Sequence, residues 1–191
     1  MNVKVLIGSA TAVLALLGGT AAAHRPAPEA RVPATHVPSG VSALRAATSK
    51  FHSIAVAEQH GYGLLTDAKG IACIDMPAMP GMRGGAMGVH WANSKLVGNP
   101  GIVAKRPEAM VYAPGPHGTL KLAAVEYVVL RKDWHATHKH RPRLYGHTFN
   151  LTPAPNRFGL PAFYSLHVWA WRHNSAGMFQ MWNPKLSCPS S

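Results

Sequence analysis

The chain has 191 residues, of which 47% are hydrophobic and 14% charged, with 19 Lys and Arg against 7 Asp and Glu. That length holds one domain with a single sizeable core, and two cysteines without any Cys-x-x-Cys spacing speak against a paired thiol redox or metal role. A net charge of +12 and a pI near 10.2 point outward to anionic polymers, acidic lipids or nucleic acid, but the basic residues are dispersed and carry no nucleic-acid motif.

Residues 1–23 read as a secretory signal peptide. Lys4 supplies the positive charge, Val5 to Leu17 the apolar core, and Ala21-Ala22-Ala23 the cleavage site, with the cut expected after Ala23. The apolar run falls short of the ~20 residues that span a bilayer. No later stretch is apolar enough for a membrane helix, so the mature protein is expected to carry no span. The expected location is secreted, extracellular or associated with the cell envelope. There Cys73 and Cys188 most simply form one disulfide, closing a long loop worth about 4–5 kcal/mol in the chain-entropy account.

Residues 24–40, rich in Pro, Ala and His, are expected to form a disordered leader. The single domain then runs over 41–191. Leu44, Ala47, Phe51, Ile54 and Ala55 fall at helical spacing, which predicts a helix over 41–60 ended by Gly61. A Pro/Gly/Met-rich loop precedes a strand at 86–92, and further strands are predicted at 107–114, 120–131, 144–151 and 162–171. One helix followed by short strands, with no regular βαβ alternation, argues for α+β. The expected form is a curved antiparallel sheet or partly closed barrel with the helix against it.

The strand at 120–131 is the centre of this reading. Strand alternation puts Leu120, Leu122, Ala124, Glu126, Val128 and Leu130 on one face, where the carboxylate is the sole polar group. Such a group is costly unless paired, protonated or bound to a metal. Two other strands each place one imidazole among apolar neighbours, His90 and His167. Two imidazoles and one carboxylate suit a divalent transition metal such as zinc, iron or copper. Without a metal they suit a base oriented by an acid. Trp91, Trp169 and Trp171 are candidate walls of an apolar pocket, and Gly84, Gly85 and Gly88 would admit close backbone approach to a ligand. The competing reading makes the histidines ordinary core residues and pairs Glu126 with Arg83 or Arg157.

Two weaker constellations remain. Met76, Met79 and Met82, with Met87 beyond, carry soft sulfur suited to copper(I), but methionine is also a flexible core filler. His135, His138 and His140, with His147 beyond, lie in a basic stretch that reads as a solvated loop. Gly-x-Ser-x-Gly, His-Glu-x-x-His and phosphate-binding glycine loops are all missing, so common hydrolase and nucleotide-binding chemistries lack their signatures.

The order of short motifs resembles a family of exported bacterial proteins, common in actinobacteria, that has no assigned activity. The matching pieces are Phe51-His52 through Gly61-Tyr62, Met87-Gly88-Val89-His90, Arg106 to Tyr112, Val125 to Val128, Leu144-Tyr145-Gly146, Leu166 to Trp171, and Trp182-Asn183-Pro184 before Cys188. The resemblance implies export and one domain, and adds no catalytic assignment. Three functional readings follow from the sequence: a secreted protein whose His/Glu pocket binds a metal or small ligand, a non-catalytic basic protein on anionic envelope polymers, and a metal-dependent secreted enzyme.

Overall fold

The computed structural model describes residues 38–81 and 84–189. The signal-peptide and most of the leader expectations, with Met82 and Arg83, lie outside the described residues. The elements in chain order are α1 (Val41–Thr48), a 3-10 turn (Ser49–His52), α2 (Ile54–Gln59), β1 (Gly63–Leu64), β2 (Cys73–Met76), β3 (Gly85–Ala92) and α3 (Ser94–Val97). There follow β4 (Ala109–Pro114), a second 3-10 turn (Pro116–Gly118), β5 (Leu120–Leu130), α4 (Arg131–His135), β6 (Arg143–Leu144), β7 (His147–Thr148), β8 (Asn150–Thr152) and β9 (Phe163–Val168). The class is α+β, with every paired strand antiparallel. Among the described residues no helix is long and apolar enough to cross a membrane.

Seven strands form one sheet in the order β1-β3-β4-β5-β9-β8, with β2 sharing the outer edge of β3 with β1. The hydrogen-bonded path has two ends, so the sheet is open rather than a barrel. β5 is the longest strand and lies between β4 and β9. The helix expected over 41–60 is instead two short helices. Ser53 between them is extended, and its hydroxyl accepts from the Val56 amide, a local bond that competes with helix continuation and caps the next turn. Val41, Leu44, Phe51 and Ala57 from this region pack with Val125, Tyr127 and Val129 on one face of the sheet.

Two bulges shift the strand phase. Val111 faces Ala124 but Tyr112 faces Leu122, so Ala123 is an extra residue in β5. Leu122, expected on the Glu126 face, therefore joins the helix-covered core. Ala123 offers its carbonyl to two amides, those of Trp171 and Arg172, each at 3.0 Å. In β3, Ile74 faces Gly88 while Asp75 faces Ala86. This bulge needs Gly88 at φ +105, where a side chain would also press on the Tyr112 carbonyl. The glycine there serves the approach of strand to strand rather than of a ligand. The same holds at Gly85, whose missing side chain makes room for the Asn183 carbonyl.

Cys73 and Cys188 are bonded, 115 positions apart in sequence. The bridge ties the C-terminal segment to β2. Asn183, fully buried, exchanges two backbone hydrogen bonds with Ala86, and its side chain donates to the His173 carbonyl and accepts from the Lys185 amide. Leu186 packs with Ala86, Val111, Ala124 and Trp169 on the sheet face opposite the helices.

Candidate metal centre

β5 sets the centre of the site. Glu126 lies directly across from His167 on β9 and from Ala109 on β4. His90 on β3 is one strand further away, opposite Val111. The small side chain of Ala109 leaves the His90 and Glu126 side chains room to meet over β4, with Nε2 3.3 Å from Oε2. One donor atom from each of His90, Glu126 and His167 lies within 4.8 Å of the others, the only such grouping of three among the described residues. The structure thus brings the three sequence-predicted ligands to one point.

All three are buried, at 2%, 7% and 1% exposure. Both ring nitrogens of both histidines are buried without a hydrogen-bond partner, for the His90–Glu126 approach lacks hydrogen-bond alignment. Four buried nitrogens without a hydrogen bond, only one of them near the carboxylate, are costly in a settled core. Donors of this kind, aimed at one point, fit a cation. Burial is the largest single influence on Glu126 and raises its pKa. The combined pull of His90, His167 and the Ser165 hydroxyl outweighs it and keeps the carboxyl below its ordinary value. Burial lowers His167 to about 4, against an opposing pull from Glu126, so its imidazole is neutral at neutral pH, the form that ligates metal.

Glu126 and His90 line a cavity of about 720 Å3. Its wall is mostly apolar, from Met87 on β3, Val128 and Leu130 on β5, Leu160 and Phe163 around the start of β9, and Met181 and Trp182 from the C-terminal segment. Met87 faces the cavity because of the Gly88 bulge. Strict alternation would have sent it to the side of Val89 and Trp91. The C-terminal wall is held by Trp169, whose indole donates to the Gln180 carbonyl, and by Asn174, which donates to the Trp182 carbonyl.

The tryptophans are placed differently from expectation. Trp91 follows His90 on the strand and therefore points to the opposite face, against Tyr112. Trp171 lies beyond β9, packs against His52 and donates to Thr48 on the helix side. Trp169 is on the site's side, with its ring 4.9 Å from that of His167, yet it packs beside the histidine rather than lining the cavity. The tryptophan that does line it is Trp182. Ser165 is a buried lining residue, two positions from His167 and thus on the same face. Arg157 does not cap Glu126, because its guanidinium donates twice to Asp67, at 2.8 and 3.2 Å.

The weaker constellations disperse. His135 contacts the Tyr164 hydroxyl and the His138 carbonyl, and His138 stacks on Trp134. His147 stacks on Phe179 instead. Met79 is half exposed, while Met87 is in the cavity wall.

Fold and site together define a class: an open antiparallel α+β sheet, tied by one disulfide, carrying a buried His/Glu/His group of which His90 and Glu126 line an apolar cavity. No family model matches the chain, nor does any curated protein or solved structure.

Proposed function

We propose that the protein binds one divalent transition metal through His90, Glu126 and His167, and that this centre serves a small ligand in the adjoining cavity. The observation that carries the reading is four buried imidazole nitrogens without a hydrogen bond around a buried carboxylate, of which His90 Nε2 alone approaches the carboxylate, at 3.3 Å. A structural role for the same residues would predict hydrogen bonds from each ring to a neighbour. Neutral imidazole and anionic carboxylate are the ligating forms, and two nitrogens with one oxygen suit zinc, iron or copper. Three protein ligands leave coordination positions for a ligand from the cavity, so the centre is compatible with a binding protein and with a metal-dependent enzyme.

Export belongs to the same proposal. It is supported by the signal-like residues 1–23, the resemblance to exported proteins and a disulfide, which persists in oxidising compartments. The test is elemental analysis of protein purified from the exported fraction. Stoichiometric metal is expected, and Glu126→Gln, which keeps the side-chain shape but removes the charge, should weaken it by more than about a hundredfold, beyond the roughly 10–100-fold of an outer-shell change. Metal-free protein, or metal retained equally by Glu126→Gln and His167→Ala, would overturn the reading.

A second reading, association with anionic envelope polymers, draws on where the acids go. Glu108 and Glu126 are buried and Asp67 is tied to Arg157, so a chain already carrying +12 presents few carboxylates to solvent. Polymer binding that weakens steeply with salt would support it.

A further inference from the structure

We propose that the cavity takes an amphiphilic small molecule, its single anionic oxygen head directed to the His90–Glu126–His167 group and its apolar body lying along the cavity wall. The inference rests on the metal reading and deepens it by naming the ligand class.

Three observations carry it. The first is polarity along the cavity. His90, Glu126 and Ser165, each at least nine-tenths buried, are the most deeply buried polar part of the lining. The other polar lining residues (Ser94, Thr152, Asn156 and Arg157) lie nearer solvent, and the rest is apolar, as at Met87 and Phe163. The second is size. About 720 Å3 falls within the range of small-molecule sites, and an apolar hollow of this extent open to water gains from being filled. The third is charge. A divalent ion among two neutral imidazoles and one carboxylate keeps one uncompensated positive charge where water is scarce. An anionic oxygen donor neutralises it more favourably than a neutral one. The His90 ring, a lining residue at 2% exposure whose nitrogens make no hydrogen bond, marks the place to which the head is drawn.

The mouth has its own marker. Leu64 is 53% exposed and lines the cavity together with Arg157, whose charge is already met by Asp67. An exposed leucine and a neutralised arginine in the same lining favour a tail leaving past them over a second charged group.

The experiment uses the full-length exported protein loaded with cobalt(II) as a visible reporter, with octanoate and acetate as probes. Both carboxylates should shift the cobalt absorption bands, since both carry the head. Octanoate should bind at least tenfold more tightly than acetate, because each methylene buried in an apolar wall gains about fourfold. Leu64→Asn and Leu160→Asn, which add polarity without charge, should each lower octanoate affinity at least fivefold, with a much smaller effect on acetate affinity and with cobalt still bound stoichiometrically. Leu64, being exposed, can be replaced without disturbing the core. Equal affinity for the two carboxylates, or octanoate binding without a band shift, would overturn the proposal while stoichiometric cobalt leaves the metal reading standing. Protein that holds no cobalt by elemental analysis overturns the metal reading and the head-group assignment together, and that outcome is read independently of octanoate.

Discussion

On the helix-covered face of β5, Tyr127 turns its hydroxyl to the Ala104 carbonyl and the Tyr145 hydroxyl, and neighbouring Tyr112 and Tyr62 end on the Phe51 and Pro107 carbonyls. On the opposite face Glu126 sits against two imidazoles whose four nitrogens make no hydrogen bond, His90 Nε2 alone approaching the carboxylate at 3.3 Å. Both faces are buried and both carry polar atoms. The first face pairs its tyrosine hydroxyls in the way a core must, leaving one exception in the Trp91 indole. The second gathers its unpaired atoms at one point and opens that point to a cavity. Sites that give up stability for function concentrate such unpaired groups, and the contrast along one strand locates that concession at β5.

The comparison breaks most severely if the wall of the second face is released. Replacing Cys73 and Cys188 by alanine frees the segment carrying Met181 and Trp182, and the lost loop closure is expected to cost about 4–5 kcal/mol of unfolding free energy. Denaturant unfolding of the variant reads this directly. A loss under about 1 kcal/mol would mean that Asn183 and Asn174 hold the segment without help from the bridge.

A second contrast sharpens the first, because each side has a buried carboxyl. Glu108 accepts a hydrogen bond from the Val128 amide at 3.0 Å, and among the described residues no salt bridge is made to it, the charge of Arg106 acting only weakly on it. Burial raises it to about 7, whereas Glu126 lies below its ordinary value among its imidazoles. The folded protein thus holds the Glu108 proton more tightly than the unfolded chain does. The associated stability is fully present below about pH 4.5 and is lost as pH rises through about 7. A shift of this size corresponds to about 3 kcal/mol. Glu108→Gln keeps an acceptor for Val128 without the charge, so it should match the native protein near pH 4 and exceed it by about that amount at pH 8. Urea titrations at the two pH values test the difference, and a constant gap across pH would contradict it.

Much of the site was legible because each ligand stands alone on an apolar strand. Glu126, His90 and His167 are conspicuous where, Ser165 apart, their neighbours on the same face are not polar. The rung at which strands meet was not legible, since pairing register depends on long-range contacts that no local pattern encodes. The bulges at Ala123 and Gly88 were equally hidden, and they moved Leu122 and Met87 to the other face from the one alternation assigns. Other misses had a usable signal. Trp91 is adjacent to His90 and must point away from it on a strand, while Ser165 is two residues from His167 and must share its side. Trp182 had none, for it reaches the cavity through the fold of a C-terminal segment that has no strand or helix period. Ser53 shows the local case: a helical spacing of apolar residues ran through it, and one hydroxyl bonding its own backbone was enough to split the helix.

The smallest expected effects bear most directly on the two faces, since their signs should differ. In Tyr127→Phe a paired hydroxyl is lost from the helix-covered face, and unfolding free energy should fall by about 0.5–1.5 kcal/mol. In His167→Phe two unpaired ring nitrogens are replaced by carbon in a site that Trp169 already flanks. Removing buried groups that lack partners recovers about 1–3 kcal/mol, less whatever the slightly larger ring costs in fit. The metal-free variant should therefore be more stable than the metal-free native protein, while its metal content falls to background. Excess zinc should reverse the ranking, because a ligand that binds only the folded native protein stabilises it by about 2.7 kcal/mol at a hundred times its dissociation constant. Thermal unfolding with chelator and with zinc measures both signs in one pair of scans. If His167→Phe lost stability in chelator as Tyr127→Phe does, the imidazole would be meeting a packing need, and the two faces of β5 would no longer differ in kind.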